Sequence, residues 1–365
     1  MTDDPDRPVP LAPGAPERPD RAHDVALLDL DGVLYVGPDA VPGAADALGR
    51  ARASGMRLGF VTNNAARTPQ EVATHLTELD MAAEPDDVIT SAQAAATVVA
   101  GRFGHGAAVL PVGGPGVAAA LVEAGLRPVE RAEDDPVAVV QGYGREVGWT
   151  QLAEAVVAVR SGAQHVATNV DATIPSPRGV LPGNGALVGV VAAVTGQQPL
   201  VTGKPDPAMH AECVRRTGAQ HPLVVGDRLD TDVEGGRRVG VATMLVLSGV
   251  TAPADLLAAP PRARPDLLAS DVSGLTHPHP PVEPVEDGWR CGAWTATAAD
   301  DGLQLGVGGA PDPDAPDDLD GLRALCVAHW ASGPAEDAEP PRVAPAPGSP
   351  DAVGEALRRW GLSPR

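Results

Sequence analysis

Two aspartates separated by one residue follow a short apolar run in the stretch "LLDLDGVLY" at residues 27–35. Aspartate and glycine both favour turns, so the pair by itself fits a simple turn. It also fits a reaction site in which one carboxylate attacks and the other transfers protons. The rest of the chain must show which residues accompany Asp29 and Asp31.

Three further polar segments end apolar runs or directly precede a predicted helix. They are "VTNN" at residues 61–64, "GKP" at residues 203–205 and "VGDRLDTD" at residues 225–232. In an open α/β sheet, ligands bind in the crevice beyond the carboxyl ends of the strands. The four segments are therefore expected to converge on one point.

The acidic residues of these segments suit phosphoryl transfer. Asp29, Asp227 and Asp232 would repel one another in a small dry site unless a cation offset their charge. Mg²⁺ meets that need, because it binds carboxylates together with water and phosphate oxygens. Asp29 could attack phosphorus and form an aspartyl-phosphate. Asp31 could protonate the leaving oxygen and later deprotonate the attacking water.

The remaining polar residues are candidates for binding the phosphoryl group. Thr62 offers a hydroxyl and Asn63 a backbone amide to the phosphoryl oxygens. Asn64 is a further candidate for binding them. Lys204 supplies a positive charge that offsets the developing negative charge. Phosphate monoesters hydrolyse very slowly in water, so a metal ion, a lysine and a covalent nucleophile are reasonable requirements together.

Apolar runs and helical patterns alternate from residue 25 onward, which is typical of βαβ units and a parallel sheet. The first sheet is predicted from strands at residues 25–30, 58–62, 223–225 and 242–246. Helices are predicted at residues 42–54, 207–216 and 231–239, with another starting at the N-cap Thr68.

In residues 91–198, strand-like and helix-like segments also alternate, but with a different spacing. We therefore predict an inserted second α/β domain. Its predicted strands cover residues 107–112, 137–141 and 165–168, and its helices residues 117–124, 151–160 and 186–194. The fold class is therefore α/β, with a Rossmann-like parallel-sheet core, an inserted α/β cap and a small C-terminal extension. The predicted segments are a disordered lead at 1–24, core parts at 25–90 and 199–275, the cap at 91–198 and the extension at 276–365.

Composition excludes several classes of function. The net charge of -21 disfavours binding to nucleic acid or to an anionic membrane. The longest apolar run, residues 186–194, is far shorter than the ~20 residues needed to cross a bilayer. Three widely spaced cysteines indicate neither a disulfide framework nor a zinc site, and they fit a reducing cytoplasm. Residues 1–24 contain no apolar segment of the kind found in a secretory signal.

The tail beyond residue 275 contains proline-rich linkers around a predicted hairpin at residues 290–307 and helices at 319–331 and 351–360. Four of the five tryptophans lie in this tail: Trp289, Trp294, Trp330 and Trp360. Disordered segments seldom carry so many large apolar side chains, so part of the tail is expected to pack on itself or on the main body.

The chain resembles the haloacid dehalogenase superfamily of phosphatases. It is most similar to the class IIA subgroup of phosphoglycolate-type and p-nitrophenyl-phosphatase-like enzymes. The matching stretches are "LDLDGVLY", "FVTNNAARTP", "TGKPDP", "VVGDRLDTDVEGG" and, in the inserted region, "ATNVDATIPSPRGVLPGNG". The resemblance covers residues 25–269 and says nothing about the tail.

The resemblance implies a role for each matching site residue. It implies that Asp29 is the nucleophile and a Mg²⁺ ligand, and that Asp31 is the acid/base whose main-chain carbonyl also binds the metal. Asp227 would be a further metal ligand. Asp232 would support the metal ligands without binding the metal itself. Thr62 and Lys204 would bind the phosphoryl group of a small phosphorylated metabolite. Residues 91–198 would be a cap that selects the substrate and offers a surface for a homo-oligomer.

Two other functions are compatible with parts of the sequence. A catalytically silent phosphate-ligand-binding or regulatory protein could keep the same fold. The stretch 114–119 after a predicted strand imitates a dinucleotide-binding loop, but Pro115 lacks the amide donor that such a loop needs, so a tight strand-to-helix turn is the simpler interpretation. In the cap, Asn169, Asp171 and Arg178 lie on a loop that could either reach the substrate or only form turns.

Overall fold

A computed structural model describes residues 8–174, 178–299, 302–309, 317–333 and 339–362. The chain divides into two compact units, which are described separately. Unit 1 comprises Met1–Leu58 and His221–Arg365, and unit 2 comprises Gly59–Gln220.

The strands alternate with helices through most of the chain, as the sequence pattern predicts. In chain order the strands are β1 (Val25–Leu28), β2 (Tyr35–Val36), β3 (Asp39–Ala40), β4 (Arg57–Thr62), β5 (Val88–Thr90), β6 (Ala108–Val112), β7 (Arg127–Pro128), β8 (Ala138–Gln141), β9 (Gln164–Ala167), β10 (Thr173–Ile174), β11 (Leu181–Pro182), β12 (Leu200–Val201), β13 (Pro222–Gly226), β14 (Ala242–Val246), β15 (Leu267–Ala269), β16 (Glu283–Val285), β17 (Gly288–Cys291), β18 (Trp294–Ala299), β19 (Gly302–Val307) and β20 (Val343–Pro345).

The α-helices are α1 (Pro19–Ala22), α2 (Ala44–Ala53), α3 (Pro69–Glu78), α4 (Ser91–Phe103), α5 (Pro115–Glu123), α6 (Trp149–Arg160), α7 (Asn184–Thr195), α8 (Pro207–Thr217), α9 (Glu234–Arg238), α10 (Pro253–Leu257), α11 (Asp320–Ala331) and α12 (Asp351–Arg359). A π-helical turn at Leu229–Val233 precedes α9. Short 3₁₀ turns lie at Pro85–Asp87, Ala132–Asp134, Pro261–Ala263 and Val272–Thr276.

Unit 1 contains a parallel run of strands in the order β15-β14-β13-β1. The strand β1 is buried along its whole length, as expected for a parallel strand covered on both faces. In its register with β13, Val25 lies opposite Pro222 and Leu28 opposite Val225. The parallel sheet therefore aligns the carboxyl ends of β1 and β13, where the aspartate segments begin.

Unit 2 contains the last four residues of β4, which pair in parallel with β5, and a second parallel sheet in the order β12-β9-β8-β6-β7. Successive residues of β6 face opposite sides of this sheet: Val109 packs with Val117 and Leu121 of α5, whereas Leu110 packs with Val159 of α6. Two hydrophobic clusters thus cover the two faces. This is the inserted α/β arrangement expected from the sequence, and the predicted fold class is confirmed.

The tail forms part of unit 1. Strands β16 to β19 are antiparallel neighbours, and β20 adds to β19 in parallel. Helix α11 packs on this sheet, and its Gly321 leaves space for two indoles, since a Cβ there would lie 2.8 Å from Trp360 and 3.0 Å from Trp294. The tail shares one hydrophobic cluster with Leu245 and Leu268 of the parallel sheet. The expectation that the tail packs on itself or on the main body is therefore confirmed.

Most predicted elements are present with boundaries shifted by a few residues. The start of α3 is confirmed in detail: the Glu71 amide donates to the Thr68 hydroxyl at 3.3 Å, and the Thr68 amide donates to the Glu71 carboxylate at 2.7 Å. The predicted disordered lead is wrong for residues 8–24, which include α1 and a buried Leu11 packed into the cluster of unit 1. The cap boundaries at residues 91 and 198, and self-association through the cap, stay predictions.

Two further features bear on function. All three cysteines are buried and free. Among the residues that the structure describes, every helix is too short or too polar to span a membrane.

Candidate active site

Three carboxylates meet at the carboxyl end of the parallel strands in unit 1. An oxygen of Asp29, an oxygen of Asp227 and an oxygen of Asp232 all lie within 4.8 Å of one another. Asp29 follows β1 directly, and its amide donates to the Val225 carbonyl at 2.8 Å, which extends the β1–β13 pairing by one residue. The sheet register therefore brings the first and fourth predicted segments together.

Asp227 is held by the loop that follows β14. One of its carboxylate oxygens, Oδ2, accepts a hydrogen bond from the Val250 amide at 2.7 Å. Its main-chain carbonyl accepts one from the Thr251 hydroxyl at 2.6 Å. A Cβ on Gly249 would lie 2.0 Å from Oδ2, and a Cβ on Gly32 would lie 2.3 Å from it. Gly32 and Gly249 thus form a cradle around the Asp227 carboxylate, and a side chain at either position would collide with it.

Asp232 reaches the cluster from the π-helical turn. Its Oδ2 accepts a hydrogen bond from the Arg228 amide at 3.2 Å. Its side chain also lies against Gly226, where a Cβ would be only 2.3 Å from the Asp232 Cβ. The intervening Asp230 points elsewhere and forms an ion pair with Arg228 at 2.8 Å. Glycine at position 226 therefore lets the buried Asp232 approach the end of β13.

Asp31 lies in the turn between β1 and the hairpin of β2 and β3. Its side chain is exposed, and its backbone forms an isolated bridge with Tyr35. The next amide, that of Gly32, donates to the Tyr35 carbonyl at 2.8 Å, and the Gly32 carbonyl accepts from the Ser248 hydroxyl at 2.7 Å. These bonds fix the backbone that follows Asp29 while the Asp31 carboxylate stays accessible to solvent.

The donor set of the cluster fits a hard divalent cation. Carboxylate oxygens are the ligands that Mg²⁺ prefers, and a cation would offset the mutual repulsion of Asp29, Asp227 and Asp232. Asp227 and Asp232 are each 1 % exposed, so water screens their charges poorly. The Val250 amide and the close backbone of Gly32 and Gly249 orient this carboxylate, as the surroundings of a metal ligand do.

In unit 2, Thr62, Asn64 and Lys204 lie near the carboxyl end of β4. Thr62 is the last residue of the strand, and its hydroxyl accepts a hydrogen bond from the Asn64 amide at 3.0 Å. The Lys204 side chain is 7 % exposed, and its ammonium donates to the Val61 carbonyl at 3.4 Å. The second and third predicted segments are thus neighbours within this unit.

Asn63 contacts the backbone of Lys204 with both ends of its side-chain amide. The Lys204 amide donates to Asn63 Oδ1 at 2.8 Å, and Asn63 Nδ2 donates to the Lys204 carbonyl at 3.2 Å. This pair resembles the two hydrogen bonds exchanged by paired residues in a sheet. The sequence predicted a phosphate-binding backbone amide at Asn63, and it did not predict this role for the side chain.

The three candidate residues of the cap loop, Asn169, Asp171 and Arg178, differ in exposure and in contacts. Asn169 is buried and donates from Nδ2 to the Asn63 carbonyl at 2.8 Å. Asp171 is partly exposed and accepts a long hydrogen bond from Asn63 Nδ2 at 3.4 Å. Arg178 is exposed, next to residues 175–177, which lie outside the described residues.

The glycine-rich stretch at residues 113–116 is a tight strand-to-helix turn. The Gly116 amide donates to the Ala66 carbonyl at 3.0 Å, and the Gly114 amide donates to the Tyr143 carbonyl at 3.0 Å. A Cβ on Gly116 would lie 2.4 Å from the Arg67 carbonyl oxygen. The amides that a pyrophosphate would need are used within the protein, so the dinucleotide interpretation loses its support.

Sequence reasoning missed the segment at residues 248–250. Ser248, Gly249 and Val250 follow β14, and they contact Gly32 and Asp227. A signal was available, because a serine and a glycine follow a predicted strand of the same sheet. It is a weak signal, since such residues commonly form turns.

Comparison with known proteins gives the family. Residues 26–127 match the model described as haloacid dehalogenase-like hydrolase, and residues 201–275 match a second HAD-hydrolase-like model. Residues 291–362 match a model described as GCN5-related N-acetyltransferase like domain.

Whole-chain relatives agree with these models. A D-glycerol 3-phosphate phosphatase from Mycobacterium tuberculosis is 42% identical over 352 residues, which cover 93% of this chain and 94% of the relative. A crystal structure of glycerol phosphate phosphatase from the same organism, in complex with magnesium, has a TM-score of 0.83 at 40% identity and covers 95% of this chain and 99% of its own.

A second relative matches a smaller share of the chain. An acid sugar phosphatase from Staphylococcus haemolyticus is 40% identical over 227 residues, which cover 62% of this chain and 85% of the relative. The chain therefore belongs to the haloacid dehalogenase-like hydrolases, and it is a phosphatase.

Proposed function

We propose that the protein hydrolyses a small phosphate monoester with Mg²⁺ through an aspartyl-phosphate on Asp29. The observation that carries this proposal is the cluster of Asp29, Asp227 and Asp232, with carboxylate oxygens within 4.8 Å of one another. Two members of the cluster are buried, and Asp29 is partly exposed. Asp29 is therefore the member that an incoming substrate can reach.

Each residue then has a distinct chemical task. Asp29 attacks phosphorus, the P–O bond to the alcohol breaks, and the phosphoryl group is transferred to the Asp29 carboxylate. Asp31 gives its proton to the leaving alkoxide and then takes one from the water that hydrolyses the acyl phosphate. When bound, Mg²⁺ offsets the charge of the carboxylates and of the phosphoryl oxygens.

We assign the phosphoryl oxygens to Thr62 and Lys204, as the resemblance to haloacid dehalogenase-like phosphatases implies. Thr62 donates its hydroxyl, and the Lys204 ammonium supplies a positive charge where negative charge develops. The low exposure of Lys204 supports this assignment, because a charge removed from water interacts more strongly with an anion. In a chain with a net charge of -21, such a local positive group is needed to hold an anionic substrate.

We assign the substrate to the class of small polyol phosphates, with D-glycerol 3-phosphate as the first candidate. Support comes from the glycerol 3-phosphate phosphatase, which aligns with 93% of this chain, including most of the tail. The acid sugar phosphatase aligns with only 62% of the chain and makes sugar phosphates the second class to test.

The experiment compares the purified full chain with two variants in the presence of Mg²⁺. Hydrolysis of D-glycerol 3-phosphate, several sugar phosphates and p-nitrophenyl phosphate is measured, and chelation is expected to stop it. Asp29→Asn is expected to abolish turnover, while Asp39→Asn, at an exposed aspartate in β3, is the matched control. Mass spectrometry of acid-quenched enzyme is expected to find one phosphoryl group on the peptide that contains Asp29.

Each result has a defined meaning. Binding of inorganic phosphate without hydrolysis of any ester would favour the catalytically silent protein instead. Full activity of Asp29→Asn would refute the covalent mechanism. A preference for sugar phosphates over D-glycerol 3-phosphate would leave the mechanism intact and change the substrate class.

A further inference from the structure

We propose that Asn169, in the loop after β9, positions Lys204 through Asn63 and does not itself bind the substrate. The inference deepens the proposed function, because it rests on the assignment of Lys204 to the phosphoryl group. It gives the hydrogen bonds that join Asn63 to Asn169 and to Lys204 a role in phosphate binding.

The clamp between Asn63 and Lys204 is the first step of the inference. Asn63 bonds to both the N–H and the C=O of Lys204, at 2.8 and 3.2 Å. Because its N–H and C=O are both held, Lys204 has a fixed backbone position. Its buried side chain then has few alternative conformations. Gly203 permits this approach, since a Cβ there would lie 2.6 Å from Asn63 Oδ1 and 2.1 Å from the Thr168 carbonyl oxygen.

Asn63 needs support of its own, and Asn169 provides part of it. The Asn63 carbonyl accepts from Asn169 Nδ2 at 2.8 Å and from the Ser91 hydroxyl at 2.7 Å. Because both lone-pair directions of this carbonyl are used, the backbone at Asn63 is fixed from two sides. The side-chain amide of Asn63 is then presented to Lys204 in a single orientation.

The hydrogen bonds of the Asn169 side chain go to the protein, which favours a positioning role over a contact with substrate. Its side chain is buried, with 5 % exposure, and its Oδ1 accepts from the Asp171 amide at 3.2 Å. Its backbone is held in turn by Asn184 at the start of α7, whose Nδ2 donates to the Asn169 carbonyl at 2.8 Å. Asn169 is therefore built into the protein on both its backbone and its side chain.

A positioning role and a substrate-binding role predict different responses to the ligand. If Asn169 acts through Lys204, its loss weakens everything that carries the phosphoryl group, including inorganic phosphate. If Asn169 contacts the alcohol part of a substrate, inorganic phosphate is unaffected, because it has no such part. Inorganic phosphate is thus the probe that separates the two roles.

The experiment uses the full chain with Mg²⁺ and the variants Asn169→Ala and Val170→Ala. Val170 is the adjacent residue and is 50 % exposed, so its variant controls for general changes to the loop. Binding of inorganic phosphate is measured by calorimetry, and kcat/KM is measured for p-nitrophenyl phosphate and D-glycerol 3-phosphate. We expect Asn169→Ala to weaken phosphate binding about 3- to 10-fold, as for one lost hydrogen bond, with an equal loss of kcat/KM for both esters.

A double-mutant cycle tests the route through Lys204. In a Lys204→Ala background, Asn169→Ala is expected to have no further effect on phosphate binding. An additive effect in that background would overturn the proposal, as would unchanged phosphate binding with a raised KM for one ester. If Asn169→Ala does not fold, Asn169→Ser takes its place. Because calorimetry needs no turnover, an inactive enzyme would contradict the proposed function without deciding this inference.

Discussion

Replacing Gly249 with alanine should displace Asp227 from the carboxylate cluster. The new Cβ would lie 2.0 Å from Asp227 Oδ2 and 2.6 Å from the Asp227 Cβ, whereas ordinary contact begins at 3.4 Å. Rotation of the carboxylate relieves the first contact only. The second requires the two backbones to separate by roughly 0.8 Å (3.4 minus 2.6), well beyond the ±0.2 Å tolerance of metal–ligand distances.

The expected result is a Mg²⁺ affinity lowered by about 10- to 100-fold, as when the support of a metal ligand is removed. The affinity is measured by calorimetric titration and by the Mg²⁺ concentration that gives half-maximal phosphatase activity. Gly49→Ala is the matched control: Gly49 lies in α2, where an added Cβ would meet no atom within 4 Å, so Mg²⁺ affinity should stay unchanged. The free energy of unfolding of each protein is also measured in the presence of a chelator. This measurement separates a loss of Mg²⁺ affinity from a loss of stability. A folded Gly249→Ala protein with Mg²⁺ affinity within twofold of the original would refute the cradle.

Two further predictions concern stability. Arg323→Met should lower the free energy of unfolding by about 3–5 kcal/mol in urea, because the guanidinium is 3 % exposed and pairs with Asp317 at 2.7 Å. A loss below about 1 kcal/mol, the range of an exposed pair, would contradict this account. Burial lowers the pKa of His165 to about 4 from an ordinary 6.5, so the folded protein holds it neutral and stability should fall as pH drops from 6.5 towards 4, by about 3 kcal/mol from this group. His165→Gln should flatten this part of the pH dependence of urea unfolding, and an unchanged slope would show that His165 does not cause it.

The parts of the fold that follow from local pattern were accessible from the sequence. The capping box at Thr68 and Glu71 is a local signal, and the structure has it as predicted. Alternating apolar runs gave the parallel strands, and the rule for their carboxyl ends placed Asp29, Asp227 and Asp232 together.

The supporting contacts were not accessible, because they depend on residues far apart in the chain. The Asn63–Lys204 clamp joins positions 141 residues apart, and an asparagine after a strand is by itself only a turn signal. Gly249 meets Asp227 only because β14 pairs with β13. The lead was misjudged for a related reason: its composition predicts disorder, but one leucine, Leu11, is buried in the core.

The contacts of the tail assign it a structural contribution to unit 1. The Trp330 indole donates to the Leu257 carbonyl at 3.1 Å, and Arg323 donates to the Leu268 carbonyl at 2.6 Å, which joins α11 to α10 and to β15. Just before and at the start of α11, the Leu319 amide donates to Asp317 at 3.1 Å, and Asp320 pairs with Arg323. The part of the chain that matches an acetyltransferase-like domain, residues 291–362, is thus joined by hydrogen bonds to α10 and β15.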